Sequence, residues 1–309
     1  MRNIFELAAL LLFFCCGALP AQEQFLQAEP GKEAFYALYN KALSAHTTSK
    51  FREAETAYLA AMKEAQKSPG PSWDYGRTVS LLAIAYHIHG YPQWAERFYL
   101  ESLAYGEGEN SNPAWTITSV DGLGRLYLQE NKLAKAAPLL ERALKIQMLD
   151  EKKSEEKYGT ADLLSALAGL YEKQGKKKTA GSYYLQAVGL FKNKETAFPF
   201  RVLNAELMDS YPIILYKTGE FYRTSGDEAS ANYYYGRALR AWSNWSDMDS
   251  RPALKARVLD YRGRTLKALG RAAAAAGDLN DALRLYKSMY NAQDPRIAEA
   301  AAQLASIKK

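Results

Sequence analysis

The chain has 309 residues, 40 Lys and Arg against 34 Asp and Glu, and a formal charge of +6. Its length alone suggests two domains. Its only cysteines, Cys15 and Cys16, sit in an apolar leader; once that leader is removed, thiol, disulfide and Cys-based metal chemistry are excluded.

At the N-terminus, Met1–Asn3 carries one Arg, residues 7–19 are almost wholly apolar, and Leu19-Pro20-Ala21 precedes Gln22. That order is the pattern of a secretory signal peptide over residues 1–21. The apolar run falls short of the roughly 20 residues of a membrane span, and Glu6 limits its backward extension. A lipoprotein would need a small residue before its lipidated cysteine, whereas Phe14 precedes Cys15 and Cys15 precedes Cys16. The expected product starts at Gln22, is exported (periplasmic or secreted in a bacterium) and keeps no membrane span. Residues 22–32 read as a mobile leader.

From residue 33 to 290 one pattern returns around six alanines: Ala54, Ala95, Ala136, Ala180, Ala231 and Ala275. Twelve residues before each anchor stands Ala or Gly, and seven after it Ala or, once, Ser102. Nine before it is usually Tyr (Tyr86, Tyr127, Tyr171, Tyr222), and four after it Tyr or Leu. Five before it come Ser49, Gly90, Asn131, Gly175, Gly226 and Gly270. Offsets of four and seven share one helical face. A Gly, Asn or Ser at the fifth place suits the left-handed residue that ends a first helix. Each unit therefore predicts a helix–turn–helix whose small residues lie where two axes approach closely. One such pair cannot bury its apolar faces alone, so neighbours must stack, which overrides the two-domain expectation. Asp294-Pro295 predicts a cap and first turn for a last helix, within 291–309, that covers the end of the stack.

The succession resembles the tetratricopeptide repeat family, most clearly in Val120–Leu144 (VDGLGRLYLQENKLAKAAPLLERAL) and Leu164–Val188 (LSALAGLYEKQGKKKTAGSYYLQAV). Anchors 41, 41, 44, 51 and 44 residues apart exceed the roughly 34 of the basic repeat. The longer class found in kinesin light chains is the nearest resemblance. The family implies an all-α, right-handed superhelical solenoid of about six helix pairs plus a C-terminal capping helix, serving protein–protein scaffolding.

Catalytic signals are missing: no P-loop, nucleophile elbow or HExxH occurs. His87 and His89 are two apart on a helix and cannot chelate one ion. With His46 they read as surface or packing residues. The 22 tyrosines fall mostly at core slots or beside them. Phe198-Pro199-Phe200 reads as an exposed loop or a plug in the stack, and Trp242 and Trp245 as seals for the next helix. Asn244-Trp245-Ser246 has the form of a glycosylation sequon.

Charge points to a partner. Residues 22–150 hold 13 cations and 15 anions, and residues 151–309 hold 26 and 18. In the family, first helices line a concave groove through positions 18, 15, 11 and 8 before the anchor. In the last two pairs these include Tyr216, Arg223, Arg257, Asp260, Arg264 and Lys267, implying a positive groove with an aromatic floor. Its expected occupant is another protein or an acidic peptide. The alternatives are an anionic envelope polymer or lipid headgroup in the same groove, a structural subunit of an envelope assembly, or a merely solvated basic face with Asp260–Arg264 an ordinary i,i+4 pair. No cofactor, metal or nucleic acid is expected. Reversal of Arg257 and Arg264 is expected to leave folding intact, with Arg262 on the opposite face as control. The carboxylate-clamp pattern is missing, since positions 15 and 11 before the anchors read Ser80/Ile84, Asp121/Arg125, Ser165/Gly169, Tyr216/Glu220 and Asp260/Arg264.

Overall fold

A computed structural model describes residues 31–67, 73–107, 113–153, 157–191, 211–243 and 252–307. The signal segment, most of the leader, Phe198-Pro199-Phe200, Trp245 with its sequon, and Arg251 lie outside the described residues. Among those described are thirteen α-helices, one short 3-10 turn and no strand. In chain order the pairs are α1 (Glu33–Thr47) with α2 (Phe51–Ala65), α3 (Trp73–Ile88) with α4 (Pro92–Glu107), and α5 (Pro113–Gln129) with α6 (Leu133–Asp150). There follow α7 (Tyr158–Lys173), α8 (Lys177–Gly189), α9 (Tyr211–Thr224), α10 (Glu228–Ser243), α11 (Pro252–Ala268), α12 (Ala272–Met289) and α13 (Pro295–Ala305).

One device ends every first helix. Ser49, Gly90, Asn131, Gly175, Gly226 and Gly270 all have positive φ, between 57° and 83°. The next amide donates to the carbonyl five residues back in each turn, as in Lys50 to Ala45 at 2.8 Å and Arg271 to Leu266 at 2.8 Å. The turn residue's own amide donates three back, as in Gly270 to Lys267 at 2.9 Å. These are the paired bonds of a Schellman motif, which satisfy carbonyls the helix leaves open. Glycine takes this backbone without Cβ strain; Asn131 and Ser49 are the tolerated exceptions.

The small slots are the places of closest helix approach. All six anchor alanines are at most 1% exposed. A Cβ on Gly124 would stand 2.8 Å from Leu140, one on Gly219 2.7 Å from Tyr235, and one on Gly263 2.7 Å from Leu279. The slot twelve before the anchor thus houses the large residue four after it.

The helices divide into two compact units, the first containing α1–α7 and the second α8–α13. In the first, α3 packs on α4 and α5 on α6, and α3 also touches α5. In the second, α9 packs on α10, α11 on α12, and α13 closes on α12. Asp294 caps α13 by accepting from the Arg296 amide at 3.0 Å. Ile297 and Ala300 of α13 are buried against Ala256, Leu259, Ala282 and Tyr286. Trp242 is buried at the end of α10.

Candidate functional site

The residues expected to line the groove all belong to the second unit: Tyr216 and Arg223 on α9, and Arg257, Asp260, Arg264 and Lys267 on α11. Three of them, Tyr216, Arg223 and Arg264, meet at one ring that the sequence reasoning passed over, Tyr261. Tyr216 stacks on it at 6.4 Å between centroids. The Arg223 guanidinium lies 5.0 Å and that of Arg264 5.7 Å from the same ring. Cation–π contact of this kind fixes guanidinium planes that water would otherwise hold loosely. Tyr216 also leans on Tyr235 at 6.2 Å. Burial foremost, with Glu220 adding to it and Arg257 opposing it, pushes the Tyr216 phenol well above its usual range.

The charges are far more balanced than a count of cations implies. Arg223 donates to both oxygens of Glu220, at 3.0 and 3.2 Å, and Tyr235 donates its hydroxyl to the same carboxylate. Arg264 grips Asp260 bidentately, at 2.8 and 2.9 Å, and reaches Glu299 of α13 at 3.2 Å. Lys267 donates to Gln303 at 3.2 Å and to Ser306 at 2.6 Å, both beyond Asp294. The cations Arg223, Arg257, Arg264 and Lys267 therefore face the carboxylates Glu220, Asp260 and Glu299. Asp260 is buried, and that burial raises its pKa despite Arg264. Arg257 is exposed.

Two expectations need correction. Arg264 is a packing contact as well as a groove cation: it ties buried Asp260 to α13, and a Glu there would bring a third carboxylate to Asp260 and Glu299. Arg262 is no neutral control either, because it holds Asp278 of α12 bidentately at 2.5 and 2.6 Å. Asp260 and Arg264 do form the i,i+4 pair that the bland reading required.

The first unit repeats the Arg264 arrangement at the same slots. Arg125 donates to Asp121 at 2.7 Å and, on the next first helix, to Asp162 at 2.5 Å. There the guanidinium and Asp162 are both buried. The slots that fail to spell a carboxylate clamp thus spell an internal ion pair that ties first helices together, in α5–α7 and again in α11–α13. No group of three or more His, Cys, Asp or Glu side chains arranged for a metal occurs among the described residues.

Comparison with known proteins bears on the repeats and the fold. Residues 119–154 and 163–196 match the family model for the tetratricopeptide repeat. No curated protein sequence matches the chain. Among solved structures, BtubC (BKLC) from P. vanneervenii is 23% identical with a TM-score of 0.57, over 82% of this chain and 94% of that one. A signal transduction ATPase with numerous domains from Pyrococcus horikoshii, which has a tetratricopeptide repeat sensor, gives 16% identity and a TM-score of 0.67 over 90% of this chain and 39% of that one. Nearly identical TPR-like repeats assigned to a kinesin light chain from Podosopora anserina give 19% and 0.50, over 70% and 97%. Residues 119–154 and 163–196 are thus tetratricopeptide repeats, and the described helices share the all-α repeat solenoid fold of these structures.

Proposed function

We propose that the chain is an exported protein-interaction scaffold that holds a segment of another protein, acidic in character, on the inner face of its second unit. The observation that carries this reading is exposed Arg257 beside the half-buried Tyr216. A rigid aromatic next to an accessible guanidinium is the composition of an interface anchor. Arg264 and Lys267 are engaged by the C-terminal helix and its end, so the ligand's contact centres on Tyr216, Arg257 and Arg223. With three carboxylates among four cations, the face favours a ligand of modest negative charge over a dense polyanion, which sets the envelope-polymer alternative behind the peptide. The helical repeat scaffold itself supplies no catalytic constellation to this proposal; its part is to present rigid side chains.

Photo-crosslinking in intact cells from position 257, compared with position 284, tests the binding face. Arg284 is 74% exposed and pairs only with its own helix neighbour Asp281 among the ion pairs found. Expected is one dominant captured chain from 257 and not from 284; in affinity capture by the full chain without a crosslinker, the same protein should be lost in Arg257→Glu and retained in Arg284→Glu. Equal capture from both positions defeats the reading. Export is tested by the intact mass of the mature protein, which should begin at Gln22; a Met1 start in the cytosol refutes export, and a lipidated Cys16 refutes the Gln22 start.

A further inference from the structure

The edge of the first unit that carries the helix–turn–helix bends has a chemistry that packing alone does not call for. In the first two pairs it is aromatic. Phe51 stacks on Tyr91 at 5.1 Å and meets His89 at 4.7 Å, and Tyr86 stacks on Trp94 at 5.8 Å and Phe98 at 5.4 Å. Trp94 is nonetheless 46% and Tyr91 38% exposed. In the following pairs the same slots are lysine: Lys132 and Lys135 lie 5.6 and 5.1 Å from the Tyr127 ring, and Lys176 lies 5.2 Å from Tyr171. Arg97, over Trp94 at 5.5 Å, joins the aromatic part to the cationic part.

The row is continuous and rigid. Tyr86 donates to Glu55 of the preceding pair at 2.6 Å, Tyr127 to Glu96, and Tyr171 to Glu141 at 2.5 Å. Lys173 reaches the Leu128 carbonyl at 3.2 Å. Each tyrosine hydroxyl therefore donates to a carboxylate of the preceding pair; the Tyr86 and Tyr127 rings are buried, and Trp94, Tyr91 and the lysines form the exposed layer above them. Carboxylates are present on the edge, but Glu55 is engaged by both Arg52 and Tyr86, Glu96 by Tyr127, and Glu130 by Lys132 at 2.8 Å.

We propose that this edge docks the protein on an anionic phospholipid surface, with Trp94 and Tyr91 in the headgroup zone and Lys135 and Lys176 on the lipid phosphates. Half-exposed Trp and Tyr rings suit the boundary between headgroups and acyl chains. Cations on long stems reach phosphates while their methylenes cover the rings beneath. The face is separate from Tyr216 and Arg257, so the inference stands apart from the proposed function.

The test is co-sedimentation of the mature chain with phosphatidylcholine vesicles, with and without phosphatidylglycerol, alongside tryptophan emission. Expected is binding that requires phosphatidylglycerol, with a blue shift that shrinks in Trp94→Phe. Reversal of Lys135 and Lys176 to Glu together should weaken binding more than about tenfold, since each interfacial cation contributes about a fivefold factor. Arg284→Glu should leave it unchanged. Thermal melts establish that these exposed-residue variants fold, and Lys135→Glu alone, with about half the effect on a logarithmic scale, serves if the double variant does not. No binding, or binding that Arg284→Glu weakens as much as the lysine reversals do, overturns the proposal. So does capture of polyglutamate in the absence of any vesicle binding.

Discussion

His46 and His87 occupy one slot, eight residues before their anchors, and each faces the tyrosine four after it. The His46 Nδ1 lies 3.0 Å from the Tyr58 hydroxyl and the His87 Nδ1 3.2 Å from that of Tyr99. Their second nitrogens differ. His87 Nε2 meets Gln129 Oε1 at 3.0 Å, whereas His46 Nε2 is buried with no hydrogen-bond partner. Burial first, and then the nearby His89, lower the His46 pKa from 6.5 to about 4. A histidine depressed in the folded state stabilises fully above its unfolded pKa. As pH falls from 6.5 toward 4 the unfolded chain takes a proton that the folded chain refuses, and stability drops by up to about 1.4 kcal/mol per pH unit. Amide protection factors in α1 and α2, corrected for the pH dependence of the intrinsic exchange rate, should therefore fall between pH 7 and 5, and His46→Gln, which can still meet Tyr58, should flatten that dependence. Identical pH profiles for the two proteins would show that His46 is not the titrating group. Both histidines are packing residues, one of the two readings their sequence context allowed; the repeated pairing with tyrosine was visible in the common offset of twelve.

At the scale of the elements, the ties between first helices are ionic as well as apolar. Arg125 sits between Asp121 and buried Asp162, and Arg264 between buried Asp260 and Glu299. Such triads add little over apolar residues of the same shape, but breaking one leaves a buried charge alone. Arg125→Met should cost about 3–5 kcal/mol, read in a denaturant melt. Arg125→Met with Asp121→Leu and Asp162→Leu should recover most of it; failure of the triple variant to recover would show that the guanidinium packs rather than neutralises. Here the limits of sequence reading become physical. The six left-handed turns and the buried alanines were legible because each depends on residues within one pair. Net charge along α11 was legible too, but not its neutralisation, which depends on Glu299 and Gln303 of a helix read only as a cap. Tyr261 was missed because its slot is not one of the recurring four, although the ring organises Tyr216, Arg223 and Arg264. The slots tested against a carboxylate clamp held the answer for Arg125 and Arg264: an Asp four residues before an Arg marks a tie to the next first helix.

Across the whole molecule, contacts are local along the chain, so damage at one pair should stay near it. Ala136 is fully buried where α6 meets α5, and Ala275 where α12 meets α11. Ala136→Leu and Ala275→Leu insert the same three carbons at equivalent slots and should each overpack by about 1–3 kcal/mol. Hydrogen exchange should then show loss of protection centred on α5–α7 for the first variant, with α11–α13 as in the parent. The second variant should reverse the pattern, and because α13 closes on α12 through Ile297 and Ala300, it should loosen the C-terminal helix as well. A single cooperative block would respond differently: either substitution would lower protection evenly over all thirteen helices. Even loss, or none, would contradict the assignment of these alanines to the closest helix contacts and the independence of the two units in unfolding.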